Sequence, residues 1–269
     1  MKMAAIQMVS GVDLSANLAA ARTLLAQAAA EGAELAVLPE YFCLMGQRDD
    51  AKLAAREQAG SGPVQDFLAA TAREFGLWLV GGTLPLATAD PARVRNTTLV
   101  FSPAGECAAR YDKIHLFQFD NGRESYDEAR VIEPGSPAPV VFELPSRDGA
   151  RWRVGLSVCY DLRFPELYRA LGADLLLVPS AFTYVTGQAH WELLLRARAV
   201  ENLCYVLAPA QGGRHENGRR TWGHSMAVDP WGEVLAQRQE GPGVVLSTAD
   251  ATRLAEVRRQ LPALEHRRL

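Results

Sequence analysis

The sequence predicts an α/β fold in which two sheets pack face to face and helices cover their outer surfaces. Three observations predict it. Short, wholly apolar strands such as Leu35-Ala36-Val37-Leu38 read as buried on both faces. Segments with helical periodicity alternate with such strands. The order β-α-β-α-β-β-β then occurs twice along the 269 residues, as two similar halves without a clear sequence repeat.

In the first half, residues 2–9 form a strand. Asp13 is the N-cap of a helix over 14–31, where Leu14, Leu18, Ala21, Leu25 and Ala28 share one face, and Gly32 ends it. The strand over 35–38 stops at Pro39. A helix between 63 and 75 leads to a strand over 77–81. Strands over 96–101 and 106–111 pair around Ser102-Pro103-Ala104-Gly105, a turn-forming cluster.

In the second half, Val154, Leu156 and Val158 alternate with Gly155 and Ser157, which predicts a strand over 153–158. A helix over 163–171 follows, with Pro165 in its first turn, where a missing N–H costs little. A strand over 174–178, a helix over 188–200 and a strand over 204–207 come next. Strands over 224–228 and 234–237 pair around Asp229-Pro230-Trp231-Gly232. A strand over 244–247 and a helix over 251–260 complete the chain.

No linker, low-complexity tract or long charge block divides the sequence, so a single domain over 1–269 is expected. The net charge of −3 gives no support to nucleic-acid binding. No apolar run reaches the roughly 18 residues of a membrane helix. The N-terminal residues enter a strand pattern at once, so no signal peptide is expected. Cys43, Cys107, Cys159 and Cys204 include no C-x-x-C pair, which argues against a disulfide framework and a zinc site. A reducing, cytoplasmic setting is the expectation. The five histidines lack H-x-x-x-H and H-E-x-x-H spacing, so no metal is expected.

Three apolar strands end in a residue with chemistry. Glu40 follows 35–38, Lys113 follows 106–111, and Cys159 follows 153–158. Ligand and catalytic groups collect at strand ends in α/β sheets. Taken singly, Glu40 and Lys113 also read as surface charges and Cys159 as a core cysteine. Together they have a chemical logic. A thiol with a pKa of about 8.5 is only slightly ionised at neutral pH. A carboxylate base takes its proton during attack, and an ammonium holds the resulting oxyanion. A strand-to-helix corner also offers backbone N–H groups to that oxyanion. Ser157 lies in G-L-S-V-C, not G-x-S-x-G, and is no serine nucleophile.

The motifs L-P-E at 38–40, Y-x-K-x-H-L-F at 111–117 and G-x-x-x-C-Y-D-x-R-F-P-E-L at 155–167 resemble the nitrilase superfamily of carbon–nitrogen hydrolases. The resemblance runs from Met3 to the C-terminal residues. It implies a four-layer α-β-β-α sandwich and a Glu-Lys-Cys triad matching Glu40, Lys113 and Cys159. It also implies a second glutamate that positions the lysine and substrate. Glu128, in Tyr126-Asp127-Glu128-Ala129, matches its context except for Ala129 in place of Ser, and Glu124 competes for the role.

Within the superfamily, the segments around Phe182, His190 and His224 resemble the Nit branch. Gly213-Arg214-His215 and the tail near His266 resemble deaminated glutathione amidases more than ω-amidases. The expected reaction is hydrolysis of the side-chain amide of deaminated glutathione to 2-oxoglutarate and cysteinylglycine. The implied substrate-binding residues are Tyr160, through its backbone N–H, Phe182, His190 and Arg214. His190 also reads as a structural hydrogen-bonding residue. Gln188, where the family has Pro, is expected close to the pocket, Cys43 at its entrance, and Trp191 and Trp222 near a ligand. No cofactor is implied, and a homodimer or higher homo-oligomer is. The alternatives are an ω-amidase acting on 2-oxoglutaramate, a nitrile-cleaving relative, and a catalytically silent dimeric scaffold.

Overall fold

Asp13 accepts a hydrogen bond from the Ala16 amide at 2.7 Å and starts helix α1 (Leu14–Ala30), which lies between strands β1 (Lys2–Gln7) and β2 (Leu35–Val37). The computed structural model describes residues 1–48 and 50–268. After β2 come α2 (Ala51–Ala54), α3 (Pro63–Phe75), β3 (Trp78–Ala87), β4 (Val94–Phe101), β5 (Cys107–Asp112) and the small pair β6 (Gln118–Asp120) and β7 (Ser125–Asp127). Then follow β8 (Val141–Pro145), β9 (Arg151–Leu156), α4 (Pro165–Leu171), β10 (Leu175–Leu177) and α5 (Tyr184–Asn202). Strands β11 (Tyr205–Ala208), β12 (Gly212–Arg214), β13 (Arg220–Trp222), β14 (Ser225–Val228), β15 (Val234–Arg238) and β16 (Gly243–Thr248) precede α6 (Ala251–Gln260).

Two six-stranded sheets form the centre, in the orders β16-β1-β2-β3-β4-β5 and β15-β14-β11-β10-β9-β8. Their faces follow from the period of two along each strand. Met3, Ala5, Leu35 and Val37 join Val154, Leu156, Leu175 and Leu177 in one core between the sheets. The intervening Ala4, Ile6, Ala36 and Leu38 pack with Leu25 of α1 and Leu68 of α3. Trp191 and Leu195 of α5 cover the second sheet. The layers are therefore α-β-β-α.

The two halves have matching topology. Each sheet has three parallel strands, β1-β2-β3 and β9-β10-β11, extended by two antiparallel ones. The sequence order hides one feature. The last strand, β16, joins the first sheet beside β1, and β8 joins the second beside β9. Strand β8 was not expected from the sequence. Prolines flank it and end it, a pattern that argues against a central strand but suits this edge position. Helix α5 starts at Tyr184, earlier than expected, because Thr183 caps it through the Thr186 amide. The segment Cys159–Arg163 is a 3₁₀ turn, and the helix that follows begins at Pro165 itself.

Strand β4 runs against β3, and β5 against β4, so β5 runs with β2. The ends that carry Glu40 and Lys113 therefore lie on the same edge of one sheet. Gly82 allows the backbone there to close up. A Cβ on it would lie 1.9 Å from the Leu38 carbonyl oxygen, so the path leading to Glu40 is set by a glycine on the neighbouring strand.

Candidate active site

Glu40, Lys113 and Cys159 converge from the ends of β2, β5 and β9, and all three are buried. Lys113 Nζ donates to Glu40 Oε1 at 2.9 Å and to Glu128 Oε1 and Oε2 at 3.0 and 2.8 Å. Glu128, rather than Glu124, reaches the lysine. Asn96 Nδ2 also donates to Glu40 Oε1 at 2.9 Å, and the Ala181 amide to Glu40 Oε2 at 2.9 Å. Every partner of Glu40 is a donor, the arrangement that suits carboxylate oxygens. Glu128 accepts from Tyr41 Oη at 2.6 Å and from the Phe117 amide at 2.7 Å.

The electrostatics follow from burial opposed by pairing. Burial disfavours the charged form of Lys113, but Glu128 and then Glu40 outweigh it and hold its pKa well above the ordinary lysine value. Burial also works against the Glu128 carboxylate, and the attraction of Lys113 outweighs it, so the Glu128 pKa is lowered. For Cys159, burial and then the Glu40 carboxylate push the thiol well above its usual range, against a smaller pull from Lys113. Both favour the neutral thiol, with the Glu40 carboxylate beside it.

The corner that carries Cys159 is held from several sides. Cys159 has φ +50° and Tyr41, next to Glu40, has φ +58°. Non-glycine residues enter this region at a cost of order 1–3 kcal/mol, and such strain collects at functional sites. The Cys159 amide donates to the Pro179 carbonyl at 3.0 Å. Asp161, fully buried, accepts from the Val158 amide at 2.8 Å, Tyr111 Oη at 2.6 Å and the His115 amide at 3.1 Å. His115 Nδ1 lies 2.7 Å from the same carboxylate. Tyr111 and His115 flank Lys113 in sequence, so one buried carboxylate ties the lysine segment to the cysteine corner. Tyr160 stands in the first turn of the 3₁₀ segment, where N–H groups lack intrahelical partners.

The thiol opens onto a cleft lined by Glu40, Lys113, Glu128, Lys52, Arg219 and Arg220. A smaller recess of about 210 Å³, with Tyr160, Arg163 and Phe182, meets it at Cys159. Arg163 lies over the Tyr160 and Phe182 rings at 5.7 and 5.6 Å. His190, on the exposed side of α5, accepts from Arg163 through Nδ1 at 3.3 Å and does not line either space.

Some expected positions lie elsewhere. Arg214 is exposed on β12 and does not line the cleft. The hairpin turns back, and Arg219 and Arg220, at the start of β13, reach it instead. Gln188 lies on an outer groove with Leu193 and Trp231, away from the cleft, because the helix turns that face outward. Cys43 is buried and donates to the Thr83 carbonyl at 3.7 Å rather than lining the entrance. Trp222 stacks on His224 and lines the same outer groove, and Trp191 packs on Phe182 in the core. Residues that the sequence reading missed include Asn96, Tyr41 and Asp161. Asn96 carried a signal, since an amide inside a buried strand must find a partner. Among the described residues no cluster of His, Cys, Asp and Glu is arranged to hold a metal, and no helix is long and apolar enough to cross a membrane.

Residues 2–259 match the carbon–nitrogen hydrolase family. A deaminated glutathione amidase from Synechocystis sp. (strain PCC 6803 / GT-S) is 42% identical over 269 residues, covering 98% of this chain and 97% of that protein. The crystal structure of the C. elegans NitFhit protein superposes with a TM-score of 0.88 at 38% identity, over 99% of this chain and 65% of that one. An amidase from Nesterenkonia sp. AN1, with acrylamide added at its active-site cysteine, superposes with a TM-score of 0.80 at 28% identity, over 97% of this chain and 98% of that one. The chain therefore belongs to the carbon–nitrogen hydrolase family, the nitrilase superfamily, and is a hydrolase of non-peptide carbon–nitrogen bonds.

Proposed function

We propose that this chain, acting as one catalytic domain, hydrolyses deaminated glutathione to 2-oxoglutarate and cysteinylglycine. The observation that carries the reading is the meeting of Cys159, Glu40 and Lys113 at the junction of the cleft and its recess. The choice of substrate is supported by the 42% identical relative of that name.

The reaction divides into two displacements. Glu40 takes the thiol proton as Cys159 Sγ attacks the amide carbonyl carbon. The oxyanion that forms is held by the Lys113 ammonium and the Tyr160 N–H. The tetrahedral adduct collapses, the C–N bond breaks, and Glu40 returns its proton to the departing nitrogen. A 2-oxoglutaryl thioester remains on Cys159. Glu40 then takes a proton from water as the water attacks the thioester, the C–S bond breaks, and Glu40 returns that proton to Cys159 Sγ, releasing 2-oxoglutarate. Glu128 keeps Lys113 in place and charged throughout. Arg163 stands where it can meet the acyl group's carboxylate.

Purified protein assayed on deaminated glutathione and 2-oxoglutaramate tests the reading. The expected result is the higher kcat/KM for deaminated glutathione. The reverse order makes the chain an ω-amidase, and turnover of neither leaves a nitrile-cleaving or scaffold role.

The chain is also proposed to form a homodimer in the cytoplasm. Leu193 and Val200, seven residues apart on α5, and Trp231 are exposed beside one outer groove, an apolar surface that suits a second copy. All four cysteines are free, as suits a reducing compartment. Leu193→Glu is expected to convert a dimer seen by light scattering into a monomer. An unchanged mass assigns the interface elsewhere.

A further inference from the structure

The two donors assigned to the oxyanion belong to different sheets. Lys113 follows β5 of the first sheet, and the Tyr160 N–H stands on the turn after β9 of the second. Strand β5 is an edge strand, bonded within its sheet to β4 alone. The faces that join the sheets are apolar, and apolar contact is non-directional. A catalytic group must nevertheless be held within about 0.5 Å of its working position. A directional contact is needed to fix the lysine segment to the cysteine corner.

Asp161 supplies that contact with both of its oxygens. Its side chain is wholly buried. Oδ2 accepts from Tyr111 Oη at 2.6 Å and from the Val158 amide at 2.8 Å. Oδ1 accepts from the His115 amide at 3.1 Å and lies 2.7 Å from His115 Nδ1. A carboxylate only accepts, so Nδ1 carries the ring proton. Burial, then the Asp161 carboxylate, hold the Tyr111 phenol well above its usual pKa, and Tyr111 stays a donor. The His115 ring also stacks on Phe164, which closes the same turn, with ring centres 3.7 Å apart. Tyr111 and His115 flank Lys113, so its segment is gripped on both sides. Glu40 has its own link to the second sheet, from the Ala181 amide at 2.9 Å, and the base is held separately.

We propose that Asp161 is a positioning residue: its carboxylate sets the spacing of the Lys113 ammonium and the Tyr160 N–H, and with it the fit of the oxyanion between them. The proposal rests on the triad reading above and holds for any acyl group that Cys159 carries. Asparagine at this position has one accepting oxygen in place of two, and its NH2 faces two of the four donors. The lysine segment then loses its register with the corner. A misplacement of about 1 Å can cost about 10²-fold in rate.

Two reagents for the same thiol test this, in a Cys107→Ser background because Cys107 is exposed. Iodoacetamide alkylates the sulfur by displacing iodide, and no oxyanion forms. p-Nitrophenyl acetate acetylates it through a tetrahedral oxyanion. Both rates are read on the Cys159 peptide by mass spectrometry. Asp161→Asn is expected to slow acetylation by about tenfold to a hundredfold and to leave alkylation close to the wild-type rate. Tyr111→Phe keeps the buried ring and removes one of the four bonds. It should show the same selective loss to a smaller extent, and it tests the role even where Asp161→Asn fails to fold. A change that merely loosens the fold moves both rates together. Parallel losses, or unchanged acetylation in either folded variant, overturn the positioning role. The substrate reading fails separately, if wild-type protein turns over 2-oxoglutaramate better than deaminated glutathione, and acetyl transfer does not depend on it.

Discussion

Cys159→Ala is expected to abolish turnover, a loss on the scale of about 10⁶-fold that follows removal of a covalent nucleophile. The fold should persist, because the corner is held by the Cys159 amide and by Asp161, and alanine keeps the backbone donor. Cys43→Ser, Cys107→Ser and Cys204→Ser should each retain substantial activity. Ionisation alone does not single out Cys159. Burial, then Glu40, raises its thiol, and burial likewise pushes Cys43 up to about 12 and raises Cys204. What distinguishes Cys159 is a buried carboxylate and an ammonium lining the same cleft. The raised thiol favours proton transfer coupled to attack over a stored thiolate. Circular dichroism and turnover measured on the four variants check the assignment. An active Cys159→Ala protein with a native spectrum removes it.

Much of this was legible in the sequence, for identifiable reasons. The apolar run Leu35-Ala36-Val37-Leu38 suits a strand covered on both faces, and its end placed Glu40; Lys113 follows β5, a more exposed edge strand that the turn before it marked. The motif around Cys159 implied the family, and the family match over residues 2–259 agrees. Other features depend on contacts between distant segments. Strand β16 beside β1, and β8 beside β9, are pairings that local patterning does not specify. Nor does it specify that Asp161 reaches both Tyr111 and His115. Arg214 lies on β12 and outside the cleft, while Arg219 and Arg220 of the returning segment line it. Arg214 pairs with Arg220 across the hairpin, and only the path of the turn decides which of the two lines the cleft.

Lys113→Met should be at least as damaging as Glu40→Gln, although methionine nearly matches the lysine stem in length. Loss of one oxyanion donor typically costs about 10²–10³ in kcat. Loss of a general base costs about 10²–10⁴. Lys113 bears on both. Its Nζ bridges Glu40 and Glu128, 2.9 Å from one and 2.8 Å from the other, in a site where the lysine is wholly buried. Without it, two carboxylates face each other with no cation between them, and the pair takes up a proton. The base is then disabled together with the oxyanion donor. Stability should fall as well, by about 3–5 kcal/mol, the usual cost of removing one partner of a buried ion pair. The single changes should therefore not add. The double variant Lys113→Met/Glu40→Gln is expected to have nearly the kcat of Lys113→Met alone, and to be more stable, because Gln removes one of the two facing charges. Single-turnover rates and thermal unfolding of the three proteins decide it. Additive losses in kcat would mean that Glu40 works as a base without the lysine, and that Lys113 serves the oxyanion alone.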